Sequence, residues 1–162
     1  MFPKRFALIS GIIMLAMGAF ALIPQFVGSA EMLPILKVND SYGMFLGYFP
    51  MNIFNKVALI ALGLAGIYAA TRPTTALPAS IQFSRWTFYV MGALAILGQF
   101  PQTNTLSGYW PLFGNEVAFH ALFAIMGAYF GFALTSKVKI DESPVRRTMS
   151  NKDMSNPLPR AR

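Results

Sequence analysis

The sequence predicts an all-α membrane protein, with four transmembrane helices arranged as two pseudo-repeated helical hairpins and both termini cytoplasmic. Three observations lead there. Hydrophobic residues make up 55% of the chain and charged residues 12%, with a mean hydropathy of +0.50; soluble domains carry roughly 25% charged residues. The apolar residues gather into four runs near the length of about 20 residues that a helix needs to cross a bilayer. The cations gather at one side of those runs, the asymmetry that sets membrane orientation.

Met1–Arg5 is a short positive start, followed by an uncharged apolar run from Phe6 to Ile23. Pro24-Gln25 and the small residues Gly28-Ser29-Ala30 come next, so a signal peptide cleaved after Ala30 is the rival reading. The run exceeds the roughly 7 to 15 residues of a signal core, which favours a retained first helix over about 6–27. Ser29 to Tyr48 reads as an outer loop whose aromatic end suits the headgroup level. Pro50 opens a second helix, 50–70, at a position that tolerates a missing amide. That helix contains Lys56, close enough to its end to snorkel.

Thr71 to Ser84 reads as a loop, followed by a short third helix over 85–100 with Arg85 and Trp86 as interfacial anchors. A polar, aromatic stretch leads to the fourth helix, 114–136. The four helices make a domain over 1–136. Residues 137–162 form a tail rich in Arg, Lys, Ser and Pro, with too little apolar content to fold alone. Lys4, Arg5, Arg72, Arg85 and seven tail residues put eleven cations on one side, leaving Lys37 and Lys56 opposite. The positive side is cytoplasmic. The net charge of +7 therefore points to anionic lipid headgroups at the tail and not to nucleic acid. With no cysteine, disulfide, thiol and Cys-zinc chemistry are excluded.

An internal repeat underlies the hairpins. A shift of 61 residues lays Phe49-Pro50 on Trp110-Pro111, Gly66 on Gly127 and Tyr68 on Tyr129, and the first and third helices each end in Pro-Gln. Two halves of equal topology imply a pseudo-two-fold axis along the membrane normal. Helices in lipid meet through small residues. Ala61, Ala65 and Gly66 on the second helix, and Ala124, Gly127 and Gly131 on the fourth, are the expected packing positions.

Glu116 and His120 lie on that same stripe of the fourth helix, four residues apart and able to touch. Lys56 stands at the same level and is expected to reach Glu116, and Asn55 aligns with Glu116 under the 61-residue shift. These four residues form the candidate polar cluster. An ionisable group inside a membrane is a functional hypothesis by default. The plainer reading is structural, a carboxylate settled by the helix N-terminus and a nearby cation. One His and one Glu under-ligate a metal. A haem or pigment needs a single axial residue, for which His120 is the candidate. No catalytic triad, phosphate loop or carboxylate pair has candidates.

The stretches YGMFLGYFPMNIFNKVALIALGLAGIYAA and LSGYWPLFGNEVAFHALFAIMGAYFGF resemble a bacterial four-helix membrane family known as a domain of unknown function. The resemblance runs from about Tyr42 to Phe132, and its most specific parts are Phe-Pro-x-Asn at Phe49 to Asn52 and the acidic-x-x-x-His at Glu116 to His120. It implies four spanning helices and no assigned activity. Members often carry histidines near the positions of Asn55 and Leu59, so this chain lacks the second imidazole of a facing pair.

The expectation is a non-enzymatic multi-pass protein of the bacterial cytoplasmic (inner) membrane. It would be a small structural or accessory subunit packing against other membrane proteins or itself. A cofactor- or ligand-binding module using His120 and Glu116 is the alternative, with an oligomeric transporter behind it. The sequence names no cofactor.

Overall fold

The computed structural model describes residues 2–134. Four long helices make up most of it: α1 (Phe2–Phe20), α2 (Ile53–Thr71), α3 (Ala76–Gln99) and α4 (Asn115–Ala128), the last running on as a π turn over Tyr129–Ala133. Among the described residues, three helical stretches are long and apolar enough to cross a membrane: Phe2–Phe20, Ile53–Thr71 and Asn115–Ala133. α3 is longer still, but its first half carries Ser80, Gln82, Ser84 and Arg85. The expected 137–162 tail lies outside the described residues.

Three helices differ in their bounds from expectation, each for a local reason. α2 begins at Ile53 and is not opened by Pro50, which lies in a short strand, Phe49–Met51, while Asn52 caps the helix. α1 starts at Phe2 and stops at Phe20, short of residue 27. Pro24 has no amide to give to the carbonyl of Phe20, and it holds Ile23 extended at φ −84°, ψ 117°. α3 begins at Ala76, nine residues before the expected start, which shortens the loop between α2 and α3 to residues 72–75. Pro78 falls in the first turn, where helical amides have no partner to lose. The serines are no obstacle, because Ser84 Oγ donates to the Ser80 carbonyl (2.8 Å) and Ser80 Oγ to the Ala69 carbonyl (3.4 Å).

The connection between α1 and α2, expected from the sequence to be an outer loop, holds a small antiparallel sheet in the order β1 (Val27–Gly28), β2 (Gly43–Phe45), β3 (Phe49–Met51). Val27 pairs with Phe45, and β2 pairs with β3 from Gly43–Met51 to Phe45–Phe49. Leu46 (φ 50°) and Gly47 (φ 76°) close that hairpin. Sixty-one residues later Ser107 (φ 59°) and Gly108 (φ 90°) repeat the same left-handed pair. The two outer connections meet, since the amide of Lys37 donates to the carbonyl of Gly108 at 2.8 Å.

α1 packs chiefly on α2 and α3 chiefly on α4. A shift of 77 residues, the spacing of the two Pro-Gln pairs, carries Phe6, Ala7, Ser10 and Met14 of α1 onto Phe83, Ser84, Thr87 and Met91 of α3. All eight are buried. The 61-residue shift carries Pro50, Met51, Leu59 and Gly66 onto Pro111, Leu112, His120 and Gly127, again all buried.

The close approaches correspond too. A methyl group on Gly66 would stand 2.8 Å from the Ala7 carbonyl oxygen and 3.0 Å from the Cα of Gly11. One on Gly127 would stand 2.7 Å from the Ser84 carbonyl oxygen and 3.1 Å from the Cα of Phe88. Ala7 and Ser84, like Gly11 and Phe88, are 77 residues apart. Glycine is required at both places because neighbouring backbone fills the space, joined at Gly66 by the Phe83 ring at 2.9 Å.

Candidate functional site

The site is assembled where α2 and α4 begin. Both helices start just after a fully buried proline, Pro50 or Pro111. Asn52 caps α2: its Oδ1 accepts from the Phe54 amide (3.1 Å), while its own amide donates to Asn55 Oδ1 (3.2 Å), a reciprocal capping box. Its Nδ2 also donates to the carbonyls of Val38 (3.2 Å) and Tyr109 (2.8 Å). Asn55 Nδ2 donates to the Pro111 carbonyl at 3.3 Å. One buried capping residue thus ties α2 to both outer connections.

Glu116, in the first turn of α4, and His120, one turn on, are brought together as the spacing predicts. Glu116 Oε2 lies 3.5 Å from His120 Nε2, with the residues 2% and 4% exposed. Glu116 sits beside the free amides of the first turn of α4. The far side of each group is unmatched. Glu116 Oε1 and His120 Nδ1 are buried without a hydrogen-bond partner, as is Trp110 Nε1.

All three residues line a cavity of about 60 Å³, together with Asn55. The remaining wall is apolar: Ala58, Leu59 and Leu62 from α2, and Val90, Met91 and Leu94 from α3. Val90 is exposed, and Leu62 and Leu94 are half-buried. The cavity therefore opens sideways between α2 and α3, with its polar residues at the end nearer the outer loops. Drug-sized sites start at roughly 300 Å³, so a tetrapyrrole on His120 does not fit this space. Among the described residues no three His, Cys, Asp or Glu side chains gather for a metal ion.

Lys56 goes elsewhere. Its side chain is fully buried, and Nζ donates to the Ser41 carbonyl (2.6 Å) and to Ser41 Oγ (2.7 Å). It neither reaches Glu116 nor snorkels to the surface. The outer loop folds back over the helix end and offers oxygens that a reading confined to helices does not contain. Ser41 sits at φ 55°, a left-handed conformation that costs a non-glycine residue energy and that the lysine holds in place.

The packing residues divide. Gly66, Ala124, Gly127 and Gly131 face the interior, but Ala61 and Ala65 are exposed. On α2 the inward small residue is Gly63, where a methyl group would meet the Leu15 amide at 2.5 Å. The 3.6-residue period puts Gly63 and Gly66 on one face and turns Ala61 and Ala65 away. Asn52, Ser41 and Trp110 were missing from the candidate cluster. Asn52 carries a legible signal, a capping residue immediately before an apolar run. Ser41 carries none.

Fold and site together define a class: a helical protein with apolar membrane-length helices and one buried carboxyl–imidazole pair at a lateral cavity. The chain belongs to the family described as "Domain of unknown function (DUF4383)", whose model matches residues 4–133, from the first turn of α1 to the end of the π turn. No curated protein matches the chain. No solved structure matches it.

Proposed function

We propose that the chain is a non-enzymatic, multi-pass protein of the bacterial cytoplasmic membrane, crossing four times as two repeated hairpins with both termini inside. In this reading it is a small accessory subunit that packs against other membrane proteins or against itself. The observation that carries this is the outward surface. Ile9, Ile12, Leu64, Tyr68, Tyr89, Ile96, Leu122 and Ile125 are all exposed on the four helices, and only lipid or a partner helix covers so much apolar area favourably. The outward pair Ala61 and Ala65 supports the partner, because small residues four apart let a second helix approach. The close packing of Gly11 and Gly18 against α2 supports a first helix that is retained.

The native chain has no cysteine, so single cysteines report topology directly. A membrane-impermeant maleimide is expected to label Ser29→Cys and Asn104→Cys in intact spheroplasts, and Thr74→Cys only after permeabilisation. Labelling of Thr74→Cys without permeabilisation overturns the orientation. For the partner, the chain purified in mild detergent is expected to bring a membrane protein that Ala61→Phe and Ala65→Phe release. A monomer with no companion, unchanged by either substitution, overturns the subunit reading.

A second reading, a ligand-binding module, is favoured by one specific observation: Glu116 Oε1 and His120 Nδ1 are buried, unpartnered and beside a cavity. Mass spectrometry of the lipid-extracted protein is expected to find a small molecule that is lost in His120→Leu. Identical extracts from both chains count against it.

A further inference from the structure

Two serines in the connections between helices hold a left-handed backbone, Ser41 at φ 55° and Ser107 at φ 59°, and both residues are exposed. What lies beneath them differs. Ser41 Oγ stands 2.7 Å from Nζ of the fully buried Lys56, whereas no lysine bonds to Ser107 Oγ among the described residues. Nor does any carboxylate pair with Lys56 among the described residues. Under the 61-residue shift the place of Lys56 is taken by Val117, half-buried in the first turn of α4. Packing at that level therefore does not demand an amine. The Ser41 carbonyl, at 2.6 Å, already gives Nζ the acceptor that a loop latch needs, so the hydroxyl is the contact left to explain.

A hydroxyl bonded to a lysine is an arrangement from which serine nucleophiles are activated. Lysines out of water and without a counter-charge act as general bases. A base takes a proton over roughly 2.6–3.2 Å, and the 2.7 Å separation falls inside that span. The backbone contributes as well, because a strained turn lifts a nucleophile clear of its neighbours. Asn39 and Tyr42 close that turn, the Tyr42 amide donating to the Asn39 carbonyl at 3.1 Å. An electrophile approaches Ser41 from the exposed side and the amine from the buried one.

Going beyond the subunit and ligand readings, and independently of both, we infer that Ser41 is a nucleophile with Lys56 as its base, and a site of acylation by a carboxylic ester. In the resting pair Nζ donates to Oγ. Once Nζ has given up one proton, it accepts from the hydroxyl instead, and Oγ attacks the ester carbonyl carbon. The Oγ–C bond forms and the bond from that carbon to the alcohol oxygen breaks. The hydroxyl proton passes through Nζ to the departing alkoxide, leaving acyl-serine and the free alcohol. This modifies the chain itself, so it stands alongside a non-enzymatic role.

The test is a fluorophosphonate, which a serine oxygen attacks at phosphorus with loss of fluoride, applied to the full chain in palmitoyl phosphatidylcholine nanodiscs. The expected result is an adduct on the peptide holding Ser41 and none on the peptide holding Ser107. Both serines are read in the unmodified chain, so this outcome does not depend on a variant folding. Lys56→Arg keeps a donor beside Ser41 but supplies no base, since a guanidinium is not deprotonated. It is expected to slow labelling about a hundredfold while amide exchange over residues 37–44 stays as in the parent, which a latch alone does not produce. Mass spectrometry of the Ser41 peptide separates the sources of the ester. A butyryl adduct after treatment with p-nitrophenyl butyrate supports a free ester, and a palmitoyl adduct without it supports a membrane lipid. A fluorophosphonate adduct with neither acyl adduct overturns the ester assignment. An unlabelled Ser41, equal labelling of Ser41 and Ser107, or the parental rate in Lys56→Arg overturns the nucleophile, leaving Lys56 a latch and the subunit reading untouched.

Discussion

Asn52 Nδ2 donates to the carbonyl of Tyr109 at 2.8 Å, joining the start of α2 to the connection between α3 and α4. Asn115, at the start of α4, donates from its Nδ2 to the carbonyl of Tyr48 at 3.2 Å. The two tyrosines are 61 residues apart, so each half clasps the other by the same carbonyl. The clasps are unequal. Asn52 is fully buried and also caps its helix, whereas Asn115 is exposed and makes that one bond.

Asn52→Ala is therefore expected to lose a cap, worth about 1 kcal/mol, and two part-buried bonds to the carbonyls of Val38 and Tyr109, worth about 0.5–1.5 kcal/mol each. The melting temperature in detergent should fall by several degrees. Asn115→Ala should cost under about 1 kcal/mol, since water replaces the lost bond. Equal losses would show that burial is not what separates them.

The glycines give a sharper contrast. Gly66→Ala and Gly127→Ala each drive a methyl group into backbone atoms at 2.7–2.8 Å, and overpacking of this kind costs about 1–3 kcal/mol. At Gly92 the nearest atom to an added methyl is Ala124 Cβ at 3.8 Å, an ordinary contact. Gly92→Ala should be neutral or stabilising by up to about 1 kcal/mol from helix propensity. Thermal unfolding of the three variants side by side decides it.

Lys56→Met should separate global from local stability. Replacing a buried cation by an apolar side chain of similar length is often neutral overall, so unfolding should shift by no more than about 1 kcal/mol. Ser41 loses both bonds that hold its left-handed backbone, and amide exchange over residues 37–44 should quicken. Unchanged exchange there would mean that the sheet alone fixes the loop.

Glu116→Asn with His120→Leu writes the first half's residues into the second. The fold already accepts those residues at the equivalent places, so the double variant should fold with stability within about 1 kcal/mol of the parent, measured by thermal unfolding. A loss above about 3 kcal/mol would make the pair structural, since breaking a needed buried pair costs that much.

Much of the candidate site could be read in the one-dimensional pattern. The i, i+4 spacing alone places Glu116 against His120, and the 61-residue shift aligns them with Asn55 and Leu59, because helical neighbours and repeats are local or periodic properties. The expected packing of Ala61 and Ala65 fails for the opposite reason. Alanine spacing marks a face but does not say which face looks inward, and Gly63 and Gly66 compete for that place and take it. The start of α3 was hidden by Pro78 and the serines, which read as loop until their bonds to Ala69 and Ser80 are seen.

By itself the sequence determined the apolar character of the helices, the duplicated pattern and the meeting of one carboxyl with one imidazole, since all three depend on composition or on separations within a single helix. Only the tertiary structure decided that Lys56 serves Ser41, that Asn52 reaches Tyr109, and that the polar pair borders a side-opening cavity. Each of those joins segments whose distance along the chain says nothing of their distance in space. A long side chain takes whichever oxygen the fold carries past it.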